Sequence, residues 1–317
     1  VLIAILFLSV AFVAFTNGAN ANFKGVASLY ASGTTSLRGA LYWGTAMTFA
    51  GSLAAMFVAQ KLLKAFSGQG IVSNALVENP EFLAAAAMGA ALTSFLATRL
   101  GFPVSTTHAL VGALAGAGLA GSGEANFAAF GTKFFLPLVL GPVVASVLGM
   151  IVYGLMKLFR CAPTQRTRTL DVLHYLSAGG ASFARGLNDT PKMAALLMVF
   201  SHVDIRWALL GVGVTIAIGG LLDADKVAET LGKKVTQLDA SQGFAASLVT
   251  ATLVTLGSAR GLPLSTTHVS VGSLFGIGAI TGQAHWRKAG EILLAWVTTV
   301  PCGALLAALA YGLISLL

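Results

Sequence analysis

The chain has 317 residues, of which 56% are hydrophobic and only 9% charged, with a mean hydropathy of +0.84. Soluble domains carry roughly 25% charged residues, so a water-soluble globular class is excluded. The net charge of +8 does not point to nucleic acid, because the basic residues sit in short loops between apolar runs, where they set membrane topology.

In chain order, apolar segments are expected near 1–16, 39–63, 82–98, 103–120 and 134–159, then near 172–201, 205–222, 242–258, 262–282 and 289–317. Each approaches the roughly 20 residues that cross a bilayer. The first opens directly in Val1-Leu2-Ile3-Ala4-Ile5-Leu6-Phe7, with no basic flank or cleavage site, and reads as a first span, not a signal peptide. Cys161 and Cys302 lack metal-ligand spacing and predict neither disulfide nor zinc. The fold class expected is an all-α polytopic membrane bundle of about ten spans, with residues 1–159 as a first repeat, 160–170 as a basic hinge and 171–317 as a second repeat.

The halves match in more than hydropathy. Gly18-x-Asn20-x-x-x-Lys24 recurs as Gly186-x-Asn188-x-x-x-Lys192 at an offset of 168, and Pro103-Val104-Ser105-Thr106-Thr107-His108 recurs as Pro263-Leu264-Ser265-Thr266-Thr267-His268 at an offset of 160. Pro142 and Pro301 fall in the last segment of each half. Five crossings is an odd number, so the second half would enter the membrane upside down. Such inverted repeats use discontinuous helices and bind at the midplane between the halves. Loops after odd-numbered segments hold eleven Lys and Arg against five after even-numbered ones. The hinge is therefore expected in the cytoplasm and both termini outside.

Each unsatisfied polar group in hydrocarbon costs on the order of 2–7 kcal/mol, so polar motifs written twice imply polar cargo. In the hydroxyl motifs Pro suits a first helical turn and Ser or Thr can cap free N–H groups. A helix starting inside the membrane favours an anion at its positive end. Ser105, Thr106, Thr107, Ser265, Thr266 and Thr267 add donors for a tetrahedral oxyanion. In the other motif glycine allows unwinding, and Asn20 and Asn188 can bind an anion or a hard cation. Lys24, Lys192 and Asp189 are ionisable groups at depth, and hence candidate site residues. The bland alternatives are lysines that snorkel to the interface, a structural Asp189–Lys192 pair, and hydroxyls bonded to the preceding turn. His108 and His268 can titrate and couple protons, or each can bond a carbonyl and hold a half-helix in place. His174, His202 and His285 are expected near the interfaces.

These paired motifs resemble those of the inorganic phosphate transporter (PiT) family across about the whole chain. The resemblance implies a secondary transporter that imports phosphate, or a related tetrahedral oxyanion, with Na+ or H+. It places Asn20, Asn188 and Asp189 near phosphate and Na+, and the two hydroxyl clusters on the anion. The chain departs from that pattern at Ala21, where the family has Asp, and at Lys24 and Lys192, where Asn is common. The missing carboxylate weakens a Na+ site and keeps a sulfate permease open; the lysines could stand in for coupling cations. The expected partners are the anion, the lipid bilayer of a prokaryotic inner membrane and, left open, a second copy of the chain, with no nucleic acid and no cofactor beyond the coupling ion. Two other classes remain, a passive anion channel and an intramembrane hydrolase using Ser105 or Ser265 with the nearby histidine.

Overall fold

The computed structural model describes residues 1–68, 70–123, 125–161, 166–200, 204–233 and 238–317, and its regular structure is helical. Ten long helices carry it: α1 Leu2–Ala21, α2 Leu37–Val58, α3 Pro80–Arg99, α4 Thr106–Ser122, α5 Leu136–Leu158, α6 Arg168–Ala194, α7 Ile205–Leu222, α8 Ala240–Arg260, α9 Thr266–Thr281 and α10 Trp286–Ile314. One falls in each expected apolar segment. The hinge expected over 160–170 is described only at its ends, and 162–165 and His202 lie outside the described residues.

The expected count of about ten spans is not confirmed by helix length and apolarity alone. Among the described residues, seven helical segments are long and apolar enough to cross a membrane, those built on α1, α2, α3, α5, α7, α8 and α10. With 17 and 16 residues, α4 and α9 reach only about 24–26 Å at ~1.5 Å per residue, short of the ~30 Å hydrocarbon core. Helix α6 is long enough at 27 residues but carries Arg185, Asn188, Asp189 and Lys192 in its second half.

The molecule is polar inside and apolar outside, as lipid requires. Val143, Val147 and Ile151 on α5 and Leu294, Val297 and Leu305 on α10 are exposed, while Lys24, Arg185, Asp189 and Lys192 are at most 5% exposed. The helices pack in matched pairs. Helix α1 lies on α3 and α7, while α6 lies on α8 and α2; α4 packs on α10, and α9 on α5. Each pairing has a counterpart in which both helices are replaced by those five places along the chain.

Small residues make these contacts possible. A Cβ at Gly112 or Gly116 of α4 would sit 2.2 or 2.0 Å from the carbonyl oxygens of Val300 and Ala304 on α10. At Gly272 and Gly276 of α9 it would sit 2.5 or 2.0 Å from those of Pro142 and Ser146 on α5. The glycines expected to unwind the chain do something different. Gly18 and Gly186 lie inside continuous helix, and a Cβ there would meet the Ile216 and Thr48 carbonyl oxygens at 2.0 and 1.9 Å. Their role is close helix approach, and in the first half the chain tightens only at the end of α1, into the 3-10 turn Asn22–Gly25 that carries Lys24. We expect Gly116→Ala to lower stability by roughly 1–3 kcal/mol through overpacking, read as a lower melting temperature in detergent. Gly154→Ala on α5, where a Cβ meets nothing within 4 Å, should melt no earlier than the parent.

Candidate functional site

The site is built where α4 and α9 begin. Gly101 and Gly261, with φ of 75° and 78°, turn the chain out of α3 and α8 in a conformation that favours glycine. The next three residues run extended, and Ser105 and Ser265 then cap the two short helices, each Oγ accepting from the backbone N–H of the following His108 or His268 at 3.2 Å. The prolines are therefore not in the first turn as expected. Pro103 and Pro263 lie upstream in the extended stretch, where the ring disfavours helix at the residue before it.

Asn20 and Asn188 hold these extended stretches. Asn20 donates from Nδ2 to the Phe102 carbonyl at 2.9 Å and to Thr98 at 3.0 Å, and its Oδ1 accepts from the Val104 N–H at 3.1 Å. Asn188 donates to the Leu264 carbonyl at 3.1 Å and accepts from Ser258 at 3.2 Å. Thr98 and Ser258 are equivalent at the offset of 160.

The lysines tie one half to the other. Lys24 Nζ donates to Asn20 Oδ1 at 3.0 Å, to the Val104 carbonyl, and to Thr267 Oγ1 of the second half at 2.8 Å. Lys192 Nζ donates to Asp189 Oδ1 at 3.1 Å, to the Leu264 carbonyl at 2.8 Å, and to Thr107 Oγ1 of the first half at 2.7 Å. Neither snorkels, with exposures of 5% and 1%. The oxygens that the family resemblance gives to Na+, Asn20 Oδ1 and Asp189 Oδ1, here accept from ammonium groups. Thr106 accepts from Asn17 at 3.0 Å, and its counterpart Thr266 is buried at the start of α9.

Three residues were not singled out from sequence. Arg185, 1% exposed, donates to Asn17 Oδ1 at 2.7 Å and to Asn22 Oδ1 and Thr48 Oγ1 at 3.2 Å, and its Nε lies 3.8 Å from Asp189 Oδ2. Asn17 also donates to Asp189 Oδ2 at 3.2 Å. The signal for Arg185 was available: among the described Lys and Arg, Lys24, Arg185 and Lys192 are the buried ones, and Arg185 is four residues from Asp189. Asn17 and Asn22 carry no such mark beyond their polarity.

The histidines meet. His108 and His268 have ring centroids 4.3 Å apart, and His268 stacks on Trp296 at 3.6 Å while its Nδ1 lies 3.3 Å from the Leu138 carbonyl. The carbonyl-anchoring role is thus seen for His268. The serine hydroxyls take their bonds from backbone N–H groups and not from an imidazole, so the nucleophile–base contact a hydrolase needs is not formed. His285 is exposed, whereas His174, expected at an interface, is fully buried. The short helix Ala27–Ala31 and Gly243 of α8 cover the start of α6, and a Cβ on Gly243 would touch the His174 ring at 2.4 Å.

Three cationic side chains and one carboxylate leave two positive charges in excess. Such an interior attracts a dianion and repels free cations. We expect Arg185→Met to cost about 3–5 kcal/mol, because it removes one of the two cations beside Asp189 and leaves the buried oxygens of Asn17, Asn22 and Thr48 without their donor; Arg185→Lys, which keeps the charge, should lose less. Thermal melting in detergent checks both.

The sequence matches the model of the phosphate transporter family twice, over residues 17–168 and 162–307. It is 31% identical to a probable low-affinity inorganic phosphate transporter of Rhizobium meliloti, covering 95% of this chain and 92% of that one. It is 30% identical to a similarly named protein of Bacillus subtilis, covering 96% and 94%. A solved structure described as the sodium-dependent phosphate transporter superposes with a TM-score of 0.87 at 25% identity, over 100% of this chain and 99% of that one. With both halves matched and the fold shared end to end, the chain belongs to the phosphate transporter family.

Proposed function

We propose that this protein is a secondary transporter that imports inorganic phosphate, held between two inverted halves. The observation that carries the reading is the crossed pair of ammonium bonds, Lys24 to Thr267 and Lys192 to Thr107, inside a cluster with two excess positive charges. A tetrahedral dianion replaces the hydroxyls on both lysines and takes hydrogen bonds from Thr106, Thr107, Thr266 and Thr267. The matched helix pairings and the double family match support residues 1–159 and 171–317 as inverted repeats joined by the hinge. Rocking one half against the other around the site then exposes it to each face in turn.

The names of the relatives support phosphate over sulfate. For coupling, Asn20, Asn188 and Asp189 remain the groups available to Na+, with His108 and His268 as proton acceptors. Lys24 and Lys192 already neutralise the oxygens a metal would use, which favours the proton. The membrane is proposed to be a prokaryotic inner membrane, with both termini outside.

Charge-assisted hydrogen bonds are worth ~1.5–3 kcal/mol each, so Asp189→Asn, Lys192→Ala and Thr266→Ala should each cut phosphate uptake by roughly tenfold or more. The measurement is uptake of labelled phosphate into proteoliposomes, scaled to folded protein. Near-parental uptake in all three would remove the assigned site. In the parent protein arsenate should compete, and sulfate and selenate should not; accumulation against a gradient separates a transporter from a channel.

A further inference from the structure

The two lysines are matched, but what lies beyond them is not. A cavity of about 10 Å³ is lined by Lys24, Ser28, Ser247, Thr250 and Ser270, room for about one water. From its wall a line of hydrogen-bonding side chains runs outward. Ser247 Oγ lies 2.9 Å from Ser28 Oγ, and Ser28 Oγ lies 2.9 Å from His174 Nε2. The other ring nitrogen, Nδ1, lies 3.4 Å from Thr34 Oγ1, and Thr34 Oγ1 lies 2.8 Å from Ser32 Oγ. Ser32 stands beside exposed Gly33, whose carbonyl accepts from Arg166 at 2.9 Å. The chain of groups therefore begins at the anion site and ends at the face that carries the hinge.

Among the described residues the other half shows no such line around Lys192. At the offsets of 168 and 160, Ser28 corresponds to Leu196, His174 to Leu6, Ser247 to Ala87, Thr250 to Ala90 and Ser270 to Leu110. All five counterparts are buried in one apolar cluster, and the Lys192 ammonium rests 5.6 Å from the centre of the Phe66 ring. The fold accommodates apolar residues at every one of these positions, so packing alone does not call for the polar set.

We propose that Ser247, Ser28, His174, Thr34 and Ser32 form a proton path between the hinge face and the anion site. A hydroxyl can accept a hydrogen bond on one lone pair while donating its own hydrogen, and an imidazole can take a proton at one nitrogen and release it at the other. For import with the hinge face in the cytoplasm, a proton leaves the O–H bond of a bound dihydrogen phosphate, passes along a water in the cavity and these groups, and ends as a new O–H bond of hydronium at the hinge face, leaving monohydrogen phosphate. No other bond changes. The ring is held in line by Gly243, which has no side chain to displace it. The charged groups around His174 are Asp171 on its own helix and Arg166 in the preceding loop, which pair with each other at 2.8 Å; the short helix Ala27–Ala31 and α8 face it with Ser28, Gly243 and Ser247, none of which titrates.

The proposal rests on the phosphate reading, and two assays on one set of proteoliposomes keep them apart. Counterflow of labelled against unlabelled phosphate at equal pH needs no net proton movement. Uptake driven by a pH gradient, followed together with the signal of a trapped pH dye, does. In His174→Leu, which installs the residue found at the matching position, and in the milder Ser28→Ala, counterflow should stay within about twofold of the parent while gradient-driven uptake and the dye signal fall by roughly tenfold. Equal loss in both assays for both variants, or no loss in either, overturns the path. A parent protein without phosphate counterflow overturns instead the reading on which it rests.

Discussion

Everything in this structure depends on keeping three buried cations and one carboxylate satisfied without bulk water. Each ion alone would cost several kcal/mol to bury. The solution for the lysines is full hydrogen bonding. An ammonium has three N–H groups, and Lys24 and Lys192 each find three oxygens. Both sets include a backbone carbonyl left free by the extended stretch before a short helix. That explains why α4 and α9 must start inside the protein: a continuous helix through Val104 or Leu264 would spend those carbonyls on its own ladder. The close glycine contacts of α4 with α10 and α9 with α5 then hold the two short helices in place.

The saturation of both lysines also shapes how an anion enters. Neither lysine has an N–H to spare, so a phosphate oxygen that bonds one of them must take the place of a hydroxyl. Thr107 and Thr267 are the natural groups to yield, since each can rotate and donate to the incoming oxygen. Binding is therefore an exchange of partners at constant hydrogen-bond count, with the gain drawn from the excess positive charge. The same exchange cuts two of the bonds between the halves, Lys24 to Thr267 and Lys192 to Thr107, so occupancy and the contact between the halves are linked through the same atoms.

The sequence made the site's composition legible and its connectivity illegible. Asn20, Asn188, the lysines and both hydroxyl clusters stood out because polar groups in apolar segments need a reason, and two matched copies need a shared one. Equivalence between copies does not reveal contact, however. Lys24 bonds the threonine of the other half and not of its own, which no alignment of the halves against each other can show. Pro103 and Pro263 were read by a local rule for helix starts, but the serine two residues later does the capping. The glycines of the Asn motifs were read as conformational breaks and act as contact points, because a missing Cβ serves either purpose. The span count rested on apolar length, which does not distinguish a full crossing from a short helix that begins midway.

The matched lysines differ in one partner: Lys192 pairs with the Asp189 carboxylate, and Lys24 bonds the Asn20 amide oxygen. What flanks the site differs further. On the Lys192 side, Phe66, Leu196 and Leu110 form a dry seal, which opens only if whole helices move apart. On the Lys24 side, Ser28, Ser247 and His174 continue the polar interior toward the hinge face, so small particles can pass while the helices stay packed. On the proposed reading, hydroxyls and an imidazole at five positions that are apolar in the other half open the Lys24 side to protons and not to phosphate. The symmetry then builds the anion site, and the break in it gives a proton its way out at one face.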